Sequence, residues 1–307
     1  MTRVLVTGVT GQDGYLLAEQ LLREGMEVYG LARRADADVP AGTRLLVGDL
    51  LDRASLRAAV AEARPNELYH LAAPTYVPDS FAHPERTRGE IVEATEVLLD
   101  AAPGRIFVAS SSEIFGAAES SPQRESSPKR PRNPYGEAKL LAFEGVAAAR
   151  ARGVHAVAGI LYNHESPRRP ERFVPRRVSV GVAKIKLGLA AELTLGDLDA
   201  VRDWSAATDL MAGAALALRH DEPADYVLAS GVGRTVRDLV DVAFAHAGVD
   251  PAGRVAIDPQ FTRGVEAVPL VGDPSKARSV LGWEQQVSFE ELIAQMVEAD
   301  LERLRGS

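Results

Sequence analysis

The 307-residue chain has no cysteine, which excludes disulfides, thiolate zinc sites and a cysteine nucleophile together and suits a reducing compartment. It has no run of 18 apolar residues, so no stretch is a candidate for spanning a bilayer. No secretory apolar core or cleavage site opens it, because Val4, Leu5 and Val6 already read as an apolar strand; this predicts a cytoplasmic protein with no membrane partner. Basic excess is missing too. The formal net charge is −8, and no basic stripe with interleaved aromatics is available to neutralise phosphates, which argues against nucleic acid. The six histidines are His70, His83, His155, His164, His220 and His246. None makes a metal-ligand pair with a suitable neighbour apart from His164 beside Glu165, and adjacent residues on a strand or loop point apart, so no metal is expected.

What is present is a globular composition, 46% hydrophobic and 25% charged, in a chain long enough for two unequal lobes. The first apolar run is followed by Gly8, Thr10, Gly11, Gln12, Asp13 and Gly14 and then by an amphipathic helical stretch to about Glu24. Glycines at 8, 11 and 14 between a strand and a helix allow a tight turn, close approach to a pyrophosphate and close helix packing, with the helix N-terminus facing the anion. This predicts a dinucleotide site. The second strand, Glu27 to Leu31, ends at Arg33 and Arg34, where a dinucleotide protein selective for NAD would place an acid; arginines suit a 2'-phosphate and favour NADP, while Asp36 and Asp38 lie just beyond. Asp49 and Leu50 follow the third strand, Arg44 to Val47, and Asp49 reads equally as an adenine contact or a helix cap. The fourth strand, Glu67 to Leu71, runs into Ala72 and Ala73, small enough for a nicotinamide ribose to lie against Leu71, Ala72 and Ala73.

After a helical region to about Ala102, the fifth strand, Arg105 to Ala109, opens onto Ser111 and Glu113, and a loop from Ala117 to Pro134 leads to a helix bearing Tyr135 and Lys139. Four residues apart on a helix, these two share a face. A tyrosine is a poor base near neutral pH unless a cation such as a lysine or an oxidised nicotinamide stabilises its phenolate, and Lys139 is expected to lower its pKa. Ser111 and Glu113 would present a hydroxyl and a carboxylate to one substrate. A sixth strand, Ala156 to Leu161, completes a doubly wound parallel α/β sheet, a Rossmann-like lobe over 1–162. From Asn163 to Arg169 a polar loop begins a smaller α/β substrate lobe, 163–307, although segments can cross between lobes. Helices are expected at Val174 to Leu187, Val236 to Ala247, Pro274 to Leu281 and Phe289 to Arg303, with Arg202, Asp203 and Trp204 just before another helix and strands at Glu192 to Leu195 and Asp225 to Ala229. Arginine pairs at 33–34, 168–169 and 176–177 on an acidic chain suit a phosphate-bearing small ligand. Trp204 and Trp283 read as packing residues.

Taken together these strings resemble the GDP-mannose 4,6-dehydratases, a family of extended short-chain dehydrogenase/reductases, from about residue 3 to 305. The distinctive ones are Thr-Gly-Val-Thr-Gly-Gln-Asp-Gly from Thr7, Ser-Ser-Ser-Glu from Ser110, Asn-His-Glu-Ser-Pro-Arg-Arg from Asn163, Gly-Asp-Leu-Asp-Ala-Val-Arg-Asp-Trp from Gly196 and Gly-Asp-Pro-Ser-Lys-Ala from Gly272. The resemblance implies a catalytic set of Ser111, Glu113, Tyr135 and Lys139. It adds His164 and Arg169 to the cofactor contacts, and it assigns Asn163, Val174, Arg177, Arg202, Arg263 and Glu266, with Ser111 and Glu113, to a GDP-sugar. The implied reaction oxidises C4 of the sugar through NADP with Tyr135 as base, removes the C5 proton with Glu113, expels the C6 hydroxyl as water and returns the hydride to C6.

Several positions depart from the family pattern. Only Ala35 to Thr43 separates Arg34 from the next strand, where the family usually carries a serine-rich extension reaching across a tetramer interface; this predicts a homodimer. Pro74 follows Ala73, removing a backbone donor beside the cofactor. Arg177 stands where lysine is usual, with Pro175 in place of threonine, so a GDP-heptose stays open beside GDP-mannose. A 4-reductase or epimerase would share the glycines, tyrosine and lysine without needing Glu113; the alternative for that carboxylate is a helix cap or a group facing solvent. A non-catalytic NADP-binding regulator is the reading from another class, and it commonly lacks the tyrosine or lysine present here.

Overall fold

Short apolar runs bounded by glycine and polar turns build the sheet that carries everything else. The computed structural model describes residues 1–102, 104–258 and 268–306. Seven strands pair in the order β10-β6-β5-β4-β1-β2-β3, with β1 Arg3–Thr7, β2 Glu27–Ala32, β3 Arg44–Val47, β4 Glu67–His70, β5 Arg105–Ser111, β6 Ala156–Leu161 and β10 Asp225–Leu228. Every pairing in this sheet is parallel, so both faces must be covered. Alternate residues serve the two faces: Ile106 and Val108 join one buried cluster, Phe107 and Ala109 the other. Helices α2 (Arg53–Ala63), α5 (Ala94–Ala101) and α6 (Pro134–Ala151) cover the first face through Leu56, Val97, Leu98 and Val146. Helices α1 (Gln12–Arg23) and α8 (Ala207–Arg219) cover the second through Leu17, Leu21, Leu210 and Ala214. Strand order reverses between β1 and β4, and the crevice beyond their carboxyl ends is where this topology places a ligand.

The sheet thus has seven strands where six were expected. The seventh, β10, lies beyond Asn163 in sequence, and with α8 it returns the chain to the first lobe. Its apolar run was readable, but which sheet it joined depended on a contact with β6 more than sixty residues away.

The remaining elements form a smaller lobe. A three-stranded sheet, β11-β9-β7, contains β7 Asn163–Glu165, β9 Val201–Ala206 and β11 Gly233–Thr235; β8 Leu193–Leu195 pairs with β12 Val255–Ile257. Helices α7 (Val174–Lys186), α9 (Val236–Ala247) and α11 (Phe289–Arg305) enclose a core that includes Val178, Val182, Leu239, Phe244, Leu292 and Met296. Helix α10 spans Ser275–Leu281. Two capping boxes, Thr235 with Asp238 and Ser288 with Glu291, fix the starts of α9 and α11. Two local expectations change. Residues 163–165 are a strand parallel to β9 rather than loop, and Arg202 to Trp204 lie within β9 itself. Between β4 and β5 the helical region is broken into α3 (Val77–Ala82), α4 (Pro84–Arg88), a π-helical turn at Gly89–Glu93 and α5. Pro84 explains the first break, since it cannot continue the preceding helix.

Candidate active site

At the reversal point, the Thr7 hydroxyl accepts from the backbone N–H groups of Leu71 and Ala72, both at 3.2 Å, and contacts Nδ1 of His70 at 2.8 Å. With both backbone donors aimed at it, its own hydrogen goes to His70 Nδ1, which therefore accepts. Burial and the nearby Lys139 charge push the His70 pKa down to about 3, which keeps the ring neutral. These bonds bind the end of β1 to the end of β4, yet neither Thr7 nor His70 was legible as a pair from positions 63 residues apart.

Gly8, Thr10, Gly11, Gln12, Asp13, Gly14, Arg33, Asp49, Leu50, Leu71, Ala72, Ala73 and Arg169 all border one cleft of about 680 Å³, with Pro74 at its edge. A nicotinamide dinucleotide fits what these residues leave open. Gly8 has φ +75°, and a Cβ there would meet the Ala72 backbone at 2.9 Å; one at Gly14 would run into the Gly8 carbonyl. The buried Nε of Arg169, on the same cleft, makes no hydrogen bond. Asp49 accepts from Leu51 N at 2.8 Å, and the cap of α2 is Asp52 instead, so the capping alternative for Asp49 does not hold.

Each arginine pair has at least one member committed to a carboxylate. Arg34 pairs with Asp36 at 2.8 Å, Arg168 with Asp38 at 3.1 Å while stacking over Tyr15, and Arg176 with the fully buried Asp300. Arg33 and Arg169 are the members that reach the cleft. Arg169 also lies 3.6 Å over the Phe173 ring and 3.2 Å from Glu165, an approach whose angle makes an ion pair without a hydrogen bond. Burial raises the Glu165 pKa, partly offset by Arg169.

A polar cluster joins the glycine turn to the second lobe. Gln12 Nε2 donates to Asp13 Oδ1 and to the His164 carbonyl, both at 3.0 Å, and Ser166 Oγ donates to Gln12 Oε1 at 2.9 Å. His164 donates from Nδ1 to the Tyr162 carbonyl at 2.7 Å, and its Nε2 meets Asp13 Oδ2 at 2.9 Å. Burial alone would raise the Asp13 pKa, but the His164 charge and hydrogen bond, with Gln12 and Arg169, bring it to about 2. For His164, burial pulls the pKa down and Asp13 more than reverses it, so the ring is held protonated above its ordinary range. The pair is ionic.

The chemistry-bearing set meets at the carboxyl end of β5. Ser111 is its last residue, Glu113 lies in the 3₁₀ turn Ser112–Ile114, and Tyr135 and Lys139 sit on the buried side of α6. Burial pushes the Tyr135 pKa up to about 12, with a Ser111 hydrogen bond and the Arg169 charge opposing and Glu113 and Asp13 adding to the rise. Lys139 stands beside that ring, one helical turn on. Its Nζ donates to the Ala109 carbonyl at 2.7 Å and lies 5.8 Å from the centre of the Tyr135 ring, while its own burial brings its pKa down to about 8. Glu113 Oε2 accepts from Asn133 Nδ2 at 2.7 Å. Asn133 also caps α6, and its role was hidden because the link to Glu113 spans twenty residues.

Of the positions assigned to a sugar nucleotide, Asn163 lies on β7 opposite Trp204 of β9, two residues from Arg202, whose Nη1 donates to Val201 O at 2.6 Å. Val174 and Arg177 occupy the first turn of α7. Arg263 and Glu266 lie outside the described residues. Trp204 stacks on Phe289 and Trp283 donates to Asp209 O at 2.9 Å, so both pack. Among the described residues no group of three potential metal ligands gathers, and no helix is long and apolar enough to cross a membrane.

The parallel sheet, the glycine turn at its reversal point and the serine, tyrosine and lysine beside β5 define an extended short-chain dehydrogenase/reductase. Solved structures with this architecture include RMD from Pseudomonas aeruginosa complexed with NADPH (TM-score 0.84, 27% identity, 98% of this chain and 100% of that one). Another is the UDP-glucose 4-epimerase of Thermus thermophilus in complex with NAD (TM-score 0.85, 27% identity, 97% and 99%). Within that class the chain belongs to the GDP-mannose 4,6-dehydratase family, whose model matches residues 5–296. It is 40% identical over 342 aligned positions to the GDP-mannose 4,6-dehydratase of Sinorhizobium fredii, covering 99% of this chain and 97% of that protein.

Proposed function

We propose that this chain removes water from GDP-mannose, giving the GDP-4-keto-6-deoxy sugar, with NADP bound in the cleft and restored at the end of each cycle. The observation that carries the reading is the carboxylate of Glu113, two residues beyond Ser111 and held by Asn133 at the same strand end as Tyr135. The bound nicotinamide supplies hydride uptake from C4 and its return to C6. Tyr135 takes the C4 hydroxyl proton while Ser111 holds the oxygen, and the ketone formed acidifies the C5 proton. Glu113 removes that proton as the C6–O bond breaks; the hydroxyl leaves with a proton as water, and a double bond joins C5 to C6 beside the ketone. A proton then returns to C5. A reductase or epimerase has no use for this carboxylate.

Arg33 supports NADP over NAD, because a guanidinium bordering the cleft beyond β2 suits a 2'-phosphate where an acid would repel it. The second lobe, from Asn163, holds the GDP-sugar with Asn163, Val174, Arg177, Arg202, Arg263 and Glu266, and the chain works as a homodimer because the segment from Ala35 to Thr43 is short. Incubation with GDP-mannose and a trace of NADP+ tests the chemistry by product mass. Loss of one water with no net reduced nicotinamide is expected. GDP-mannose unchanged while a GDP-heptose loses water keeps the chemistry and replaces the substrate; no water lost from any GDP-sugar contradicts the reading.

A further inference from the structure

The dehydratase reading needs two groups to act on neighbouring carbons in turn: Tyr135 at C4, then Glu113 at C5. One side chain touches the supports of both. Asn133 Oδ1 accepts from the Gly136 backbone N–H at 2.8 Å, closing the first turn of α6, while its Nδ2 donates to Glu113 Oε2 at 2.7 Å. The two bonds fix the amide's orientation, because turning it over would set an NH2 against the Gly136 N–H and an oxygen against a carboxylate. Asn133 is 9% exposed, so water competes little for either bond. Pro134 follows at the first helical position and pre-sets the backbone there. Gly136 lets the helix approach closely, since a Cβ on it would meet the Glu113 carbonyl at 2.7 Å. Among the described residues nothing hydrogen-bonds Glu113 Oε1, which leaves one carboxylate oxygen held and the other open to accept a proton.

We propose that Asn133 is a positioning residue for the elimination step: its amide N–H aims the Glu113 carboxylate while its carbonyl fixes the start of the helix that carries Tyr135. This rests on the reading of Glu113 as the base at C5. The two functions of the amide are separable by substitution, since serine, aspartate and asparagine cap helices about equally well and only asparagine carries a donor nitrogen separate from its capping oxygen, where serine has a single, shorter hydroxyl for both. Asn133→Ser keeps the cap and loses the donor. Asn133→Asp keeps the cap and sets a second carboxylate against the first.

The test is a single turnover with GDP-mannose and bound NADP+, following reduced nicotinamide for oxidation at C4 and product mass for loss of water, for the wild type, both Asn133 variants and Glu113→Gln. Oxidation at C4 is expected to stay within about threefold in both Asn133 variants, while loss of water slows about ten- to hundredfold for Asn133→Ser, as for a base displaced by up to an ångström, and further for Asn133→Asp. Reduced nicotinamide then builds up transiently. If Asn133 is only a cap, neither step slows, and the proposal is overturned; it is equally overturned if both steps fall together with cofactor affinity. A wild type that dehydrates while Glu113→Gln dehydrates as fast removes the base and this proposal with it. A wild type that releases no water overturns the dehydratase reading itself.

Discussion

Tyr135 and Lys139 show how burial works against a side chain proposed as a base. Enclosing the phenol raises its pKa to about 12, away from the range in which it is a useful base, while Lys139 donates one hydrogen bond to the Ala109 carbonyl. Beyond the Ser111 hydrogen bond and the Arg169 charge, a positive nicotinamide ring against the phenolate is a further source of stabilisation. Tyrosinate absorbance should therefore titrate at lower pH when NADP+ is added than with NADPH; the same titration with both would rule out the nicotinamide as that source. Replacing Tyr135 by phenylalanine is expected to cut turnover by roughly 10² to 10⁴, the usual weight of a general base, while cofactor affinity measured by fluorescence is kept. A non-catalytic regulator would lose nothing by that change. Arg33→Ala should weaken NADP+ at least about tenfold and leave NAD+ nearly unaffected, since a charge-assisted contact to a phosphate is what it removes; equal loss for both cofactors would contradict the assignment. The serine, glutamate, tyrosine and lysine were legible in sequence because their spacing is local to one strand end and one helix. Asn133, Thr7 and His70 were not, because each acts on a partner brought close only by the fold.

At the scale of elements, α1 and β7 are tied by the Asp13–His164 pair, and the sign of its pH dependence comes from the two shifts. Asp13 is depressed, so its contribution is present above the ordinary value of 3.8 and lost as pH falls through about 2. His164 is raised, so its contribution is complete below the ordinary value of 6.5 and lost as pH rises through its higher folded value. Melting temperature should thus decline on the alkaline side of the histidine range. His164→Gln should lower stability at neutral pH by about 2 kcal/mol, the usual loss of a hydrogen bond between charged groups, since Asp13 is half-buried and keeps its bond from Gln12, and should remove that alkaline decline. A decline that survives the substitution would have another origin. Several longer elements were readable from apolar runs and caps, so that β3, β6 and α9 have the expected bounds, whereas the six-residue β9 was not, its Arg202 and Asp203 interrupting the apolar pattern. Of the three-residue strands only β8 was expected, as part of a strand at Glu192 to Leu195; β7, β11 and β12 were not, since three residues display a period of two poorly and their pairing is decided by their neighbours.

Across the whole molecule, the two lobes are not consecutive halves of the chain. After β6 the backbone leaves the sheet, forms β7, α7, β8 and β9, and returns with α8 and β10 before completing the smaller lobe. The candidate site therefore takes His164 and Arg169 from one excursion, its glycine turn from the loop after β1 and Tyr135 from α6. With only Ala35 to Thr43 beyond the arginine pair, and Arg34 and Arg168 both paired to acids of that short segment, a dimer is expected in sedimentation. A stable tetramer in dilute solution would contradict it. Central to the proposed cycle is that hydride leaves C4 and returns to C6 of the same sugar while Glu113 exchanges only the C5 proton. GDP-mannose deuterated at C4, turned over in ordinary water, tests this most directly. The predicted result is a dehydrated product that keeps the deuterium, now at C6; a product from which the label is lost, or a label accumulating in the nicotinamide, would contradict it.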